Sequence, residues 1–193
     1  MKLSAFTLSE VLITLGVIGI VSAMTMPTLI KKYNNYITAQ RLKKAYNTLS
    51  NGIRMSEIDN GYMKYWESGA NIADMREYYA KYFQPYFKGI RLCKNTTDCG
   101  YKNFDTTKWT GASWSVETNP ERALFQLADG TVVFYPRNTG SAFVDYFYVD
   151  INGTQRPNKI GEDVFQFNRG TEKGIVPLGK ALKIMQNGWV IKD

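Results

Sequence analysis

The chain of 193 residues contains no histidine. That removes the commonest general base and the commonest zinc ligand, and with them the usual hydrolase triads and metalloprotease sites. No GxSxG, no HExxH and no phosphate-cradling glycine loop is present either. Asp and Glu remain for acid–base work, as in glycosidases, but no spacing singles out a pair. The composition therefore argues against an enzyme. Cysteine is nearly absent, with two residues only, which disfavours a cysteine-based metal site in a chain without histidine. Charge is scarce at the start: the first 30 residues carry just Lys2 and Glu10.

What fills that gap is an apolar run, Phe6 to Met26, FTLSEVLITLGVIGIVSAMTM. At 1.5 Å rise per residue, a helix of this length covers roughly the 30 Å hydrocarbon core of a bilayer. The single ionisable group inside it is Glu10, and a carboxylate there costs on the order of 2.5–3.5 kcal/mol on insertion scales. Such a group needs a partner or a purpose. Two simple accounts compete. In one, Val21-Ser22-Ala23 is the small-residue cleavage site of a secretory signal peptide. In the other, the run is a plain anchor that tolerates Glu10 near the interface. The carboxylate argues against the first, because it weakens the insertion that a signal peptide exists to perform.

The order Ala5-Phe6-Thr7-Leu8-Ser9-Glu10 ahead of an apolar run resembles the cleavage and N-methylation motif of type IV prepilins and pseudopilins. The resemblance implies that a membrane peptidase cuts the cytoplasmic leader, residues 1–5, between Ala5 and Phe6 and methylates the new amine. It also implies that Glu10 is the assembly carboxylate. Pro27 matches a helix-kinking proline common at this distance, and Gly16 and Gly19 match the loosened helix of packed subunits. Ala5 stands where the family usually has Gly, and Ser9 where it usually has an apolar residue. The motif covers about 25 residues. Physically, the Phe6 ammonium of one subunit and the Glu10 carboxylate of the next would neutralise each other where neither tolerates isolation. Gly19 and Ala23 add a small-residue face for close helix approach.

Net charge is +7, and residues 31–102 carry all of the excess. A basic stripe of this kind suits acidic headgroups or nucleic acid. Subunit packing and solubility is the plainer account, and nucleic acid is not favoured. Lys31 and Lys32 lie just past the span, against the usual positive-inside bias on the presumed outer side. Cys93 and Cys99 flank a short loop in what would be an exported domain, which reads as a disulfide; two free thiols are the alternative. Asn95 and Asp98 suit the turn that such a closure requires.

Past Pro27 the helical pattern continues, with Ile30, Tyr33, Ile37, Leu42, Tyr46, Leu49 and Ile53 at three- and four-residue spacing. This predicts one helix from about Thr7 to about Asp59, bent at Pro27 and stopped near Asn60-Gly61. Gly52 weakens it by about 1 kcal/mol without ending it. A loop or short irregular helix over Tyr62–Gly69 leads to a second helix over Asn71–Phe83, with Ile72, Met75, Tyr79 and Phe83 on one face and Pro85 closing it. Trp109 and Trp114 belong to a polar stretch, where ordinary packing competes with a recognition surface. Ala123–Tyr135 reads as a hairpin about Asp129-Gly130, Ala142–Val149 as a third strand, and Asp163–Phe167 and Gly174–Val176 as shorter ones. Leu178–Gln186 reads as a last helix. The fold class is α+β: a long N-terminal helix packed on a small antiparallel sheet, which is also the order of elements in pilins.

One loop, Asp150 to Asp163, gathers hard oxygen ligands between two strands. Asp150, Asn152 and Asp163 suit calcium, which takes six to eight oxygens including main-chain carbonyls. The spacing is not that of an EF-hand, but the loop resembles acidic C-terminal loops of some pseudopilins where calcium holds the fold. The alternative is a metal-free turn in which Asp150 and Asn152 cap local N–H groups. The expectation is therefore a leader (1–5), a membrane and assembly helix (6–30) and a periplasmic or extracellular domain (31–193). It would be a minor pilin or pseudopilin of a type IV pilus or type II secretion filament. Its partners would be other pilin-like subunits, the prepilin peptidase and the bacterial inner membrane. The alternative is an anchored or secreted binding module that does not polymerise.

Overall fold

A computed structural model describes residues 7–66, 75–94, 97–101, 124–134, 146–169 and 174–192. The first element is helix α1, Leu8–Asn60, uninterrupted through Pro27. Its end falls where the sequence says it should: Gly61 takes φ +74°, the left-handed conformation that closes helices and that glycine adopts without steric cost. By its contacts the chain divides into residues 1–37 and residues 38–193. In the first unit the described side chains from Leu8 to Ile30 are exposed, Ser22 excepted. An 18-residue window of α1 with mean hydropathy 1.9 is long and apolar enough to cross a membrane.

In the second unit a six-stranded antiparallel meander runs in sequence order: β1 Arg91–Cys93, β2 Leu124–Gln126, β3 Val132–Phe134, β4 Tyr146–Asp150, β5 Val164–Arg169 and β6 Ile175–Pro177. Helix α2, Met75–Tyr82, precedes the sheet, and helix α3, Gly179–Gln186, follows it. With the C-terminal part of α1 lying in the same core as the sheet, the architecture is the expected α+β.

The register explains why β3 is buried throughout instead of alternating. Leu92, Phe125, Val133, Val149 and Phe165 stand side by side across five strands. They share one face with Ala39, Leu42, Ala45, Leu49 and Ile53 of α1. The next row, Cys93, Leu124, Phe134 and Tyr148, points the other way, because side chains alternate along a strand. That face has its own core, completed by Cys99, Tyr101, Val132 and Val164. Both faces of the sheet are thus covered.

Two expectations need correction. The upper part of the helical stripe is not part of the core: Ile30 and Tyr33 are 55% and 63% exposed, and burial begins at Ala39. Periodicity alone does not say where a helix meets its domain. Tyr78, Tyr79 and Tyr82 of α2 are buried, as is Phe83 just beyond it, so burial takes in Tyr78 and Tyr82 besides the predicted Tyr79 and Phe83. Tyr82 stacks on Trp66 with ring centroids 4.6 Å apart, Tyr78 meets Trp66 edge-on at 6.3 Å, and Phe83 packs against Phe125 at 5.1 Å. Residues 71–74, including Ile72, lie outside the described residues, as do Trp109 and Trp114. Between α1 and α2, Met63–Tyr65 forms a 3₁₀ turn, and after α2 Gln84–Tyr86 forms another, with Pro85 near its start. The edge strand β1 was not expected; three residues beside a cysteine loop carry too little pattern to announce a strand.

Candidate functional site

The N-terminal end of α1 is held by its own residues. Thr7 is the residue before the helix, and its Oγ1 accepts the Glu10 N–H at 3.3 Å. Glu10 Oε2 reaches back to accept both the Thr7 N–H and the Thr7 hydroxyl, each at 2.8 Å. Thr-x-x-Glu in this arrangement is a capping box, which satisfies helix N–H groups that have no partner within the helix. Glu10 therefore has a local partner that the sequence reading overlooked, although the spacing is itself a legible signal. Only Oε2 is engaged: among the described residues Oε1 accepts no hydrogen bond. Of the other expected assembly residues, Gly16 and Gly19 have nothing within 4 Å of where a Cβ would stand, and Pro27 is exposed within α1. Ala5 and Phe6, the expected processing site, lie outside the described residues.

The cysteine loop closes as expected. Cys93 and Cys99 form a disulfide with their Cα atoms 5.4 Å apart, and both sulfur-bearing residues are buried. Asp98 organises the turn: its carboxylate accepts the Lys94 N–H at 2.8 Å and Arg91 Nη2 at 2.8 Å, which holds it below the usual carboxylate range. Asn95 lies outside the described residues. Two residues beyond the disulfide, buried Tyr101 donates its hydroxyl to Asp150 Oδ2 at 2.8 Å. Burial, and then the charge of Asp150, pushes the Tyr101 hydroxyl pKa far up, so it stays a donor.

The structure brings Asp150, Asn152 and Asp163 together. Asp150 ends β4 on the disulfide-bearing face, opposite Val132 and Val164, and is 2% exposed; Asp163 is 4% exposed. Asp163 accepts the N–H groups of Asn158 at 2.7 Å and Lys159 at 2.6 Å, and Asn152 Nδ2 at 3.1 Å. Asp150 Oδ1 accepts the Asn152 N–H at 3.2 Å. Asn158 takes φ +51°, a left-handed conformation that Asn tolerates, and Gly153 takes φ +64°. Glycine is required at 153, because a Cβ would sit 2.6 Å from the Gly130 carbonyl oxygen. Burial pushes the Asp150 carboxyl up to about 7, although hydrogen bonds from Tyr101 and the Asn152 N–H pull it down and the Asp163 charge pushes it further up.

The Asn158 amide ties the loop across its mouth. One terminal atom of the amide sits 3.0 Å from Asp150 Oδ2 and 3.2 Å from the carbonyl oxygens of both Gly153 and Gln155. That atom is the nitrogen, because all three neighbours are acceptors, and its two N–H groups are shared among them. Asn152 Oδ1, buried nearby, has no hydrogen-bond partner among the described residues. Among the described residues no three His, Cys, Asp or Glu side chains stand close enough to hold a metal. A cation here would thus depend on amide and main-chain oxygens as well as the carboxylates, which suits calcium and not zinc.

Other anchoring residues were not legible. The Glu57 carboxylate at the end of α1 accepts the N–H groups of Met63 and Gly174, at 3.0 and 2.9 Å. Buried Arg169 on β5 donates to the Met63 carbonyl oxygen at 2.5 Å. Both tie segments more than a hundred residues apart.

Comparison with known proteins gives one match, to a family described as a family of unknown function (DUF6613), over residues 28–174. No curated protein and no solved structure matches the chain.

Proposed function

The chain belongs to the DUF6613 family, which carries no assigned activity, and from that premise we propose that it is a minor pilin or pseudopilin. In this reading it is a subunit of a type IV pilus or type II secretion filament, cut between Ala5 and Phe6 and polymerised through α1. The observation that carries the reading is the N-terminal helix itself. From Leu8 to Met26 its apolar side chains are exposed, and the one carboxylate of that stretch, Glu10, has no hydrogen bond to Oε1 among the described residues. An exposed apolar surface of that length needs lipid or other helices. The open oxygen has the charge and position to accept the Phe6 ammonium of a neighbouring subunit, while Oε2 keeps the capping box. The membrane peptidase, other pilin-like subunits and the bacterial inner membrane are the partners, and the domain faces the periplasm until assembly carries it outward. The chain's role in this account is structural, not catalytic.

The test is Glu10→Ala against Glu10→Gln. Both variants are expected to insert and to be processed, and both to enter filaments poorly, because the amide keeps a cap acceptor but not the charge. If Glu10→Gln assembles like the unaltered chain, charge pairing is refuted and Glu10 serves only as a cap. A second reading has one observation in its favour: the family match begins at residue 28, past the motif. It is an anchored domain that never polymerises, and it predicts that neither variant changes anything beyond insertion.

We also propose that the Asp150–Asp163 loop takes calcium, through the Asp150, Asn152 and Asp163 side chains with main-chain carbonyl oxygens. Calcium added to chelated protein is expected to raise its melting temperature, and a flat titration would refute the site.

A further inference from the structure

Between α1, the β2–β3 turn and the start of the β4–β5 loop lies a polar cleft of about 180 Å³, with Arg41, Lys44, Asp129, Thr131, Asn152 and Gln155 among its lining. Its charges do not balance. Lys44 pairs with Asp129 Oδ2 at 3.1 Å, and the other Asp129 oxygen accepts the Thr131 N–H at 3.1 Å. Both oxygens of that carboxylate are therefore in use. Arg41, one turn before Lys44 on α1, makes no hydrogen bond or ion pair among the described residues. A guanidinium left over beside a neutralised pair gives the cleft one unspent positive charge. It also gives a planar fork matched to two oxygens of a carboxylate.

Size narrows the occupant. The cleft is well below the roughly 300–1,000 Å³ of pockets that enclose whole small-molecule ligands. One acidic side chain fits it, and the basic excess of residues 31–102 favours an acidic partner surface. We propose that this cleft is a docking site for a single carboxylate, the Asp or Glu side chain of a neighbouring protein chain. The occupant rests on the filament reading, which puts a second chain beside α1. The carboxylate chemistry rests on Arg41 alone.

The test uses the full chain in detergent micelles, with ¹⁵N-labelled arginine side chains followed by NMR. The probes are acetyl-Gly-Glu-Gly-amide and the same peptide with Gln. The Glu peptide is expected to move the Arg41 resonances saturably, with at least tenfold weaker binding of the Gln peptide. Binding of the Glu peptide, read on the peptide's own resonances, is expected to be lost in Arg41→Gln and weakened in Arg41→Lys, which keeps charge but not the fork. Lys43→Gln, on the same helix but outside the cleft, is expected to bind normally. Equal titration by the two peptides overturns the proposal, as does an equal loss in Lys43→Gln, which would mean general charge attraction. Failure of filament formation leaves this titration unaffected, so the two readings fail separately.

Discussion

Gly52 gives the sharpest test of the packing, because two effects of known size oppose each other there. In an exposed helix interior, Gly→Ala stabilises by roughly 1 kcal/mol through backbone entropy. At this site the added Cβ would meet three atoms of the Phe87 ring, at 2.2, 2.5 and 2.6 Å, where ordinary carbon contacts lie near 3.5–4.0 Å. The ring would have to retreat by more than 1 Å, roughly the shortfall from contact distance. It is 6% exposed and packs against Phe83 and Phe125, with centroids 5.7 and 6.2 Å away, so it has little room. Overpacking of this kind costs typically about 1–3 kcal/mol. Set against the helix gain, Gly52→Ala is expected to destabilise the domain by about 1 kcal/mol, within a range of roughly 0–2. Urea unfolding of the full chain in detergent, followed by tryptophan fluorescence, measures it. A companion variant isolates the cause. In a Phe87→Leu background the clash is relieved, and Gly52→Ala should turn neutral or stabilising. If Gly52→Ala stabilises the otherwise unaltered chain, the ring does not sit over Gly52 and the α1 packing is wrong.

The remaining predictions concern the two cores and the loop. With calcium chelated, Asp150 binds its proton more tightly in the folded state than in the unfolded chain. Its contribution to stability is then fully present below the ordinary carboxylate range and is lost as pH rises from about 4 to about 7, by up to roughly 1.4 kcal/mol per pH unit. Melting temperatures across that window check it, and Asp150→Asn should flatten the slope. Replacing Cys93 and Cys99 together by Ser removes a short-loop cross-link and should cost roughly 2 kcal/mol in the same unfolding assay. No loss would mean that the closed loop adds nothing to the buried face. Gly153→Ala should disrupt the turn at Asp150 more severely than Gly130→Ala. Both glycines have positive φ, but only at 153 does a Cβ meet a carbonyl oxygen. Equal melting-temperature losses would contradict that close approach.

Much of this fold is legible because its signals are local. The end of α1 at Asn60-Gly61, the Asp129-Gly130 turn and the Leu178–Gln186 helix each follow from residues within a few positions of one another. The misses are of a different kind. Ile30 and Tyr33 continue the helical stripe flawlessly yet are exposed, since periodicity records a face and not what covers it. The alternation expected of the hairpin gives way at β3 to burial on both faces, because the disulfide loop and Tyr101 cover the side that one helix leaves open. Asp150 and Asp163 stand in one loop, so their meeting is a local signal. Tyr101, which closes over Asp150, lies 49 positions away and carries no pattern that links the two. Thr7 is legible too: Thr-x-x-Glu before an apolar run is a capping signature.

The N-terminus of the mature chain decides the central claim. Mass spectrometry of protein purified from its native membrane is expected to find a chain that begins at N-methylated Phe6. A chain that begins at Met24, as after signal peptidase, or one that still carries Met1, would contradict it.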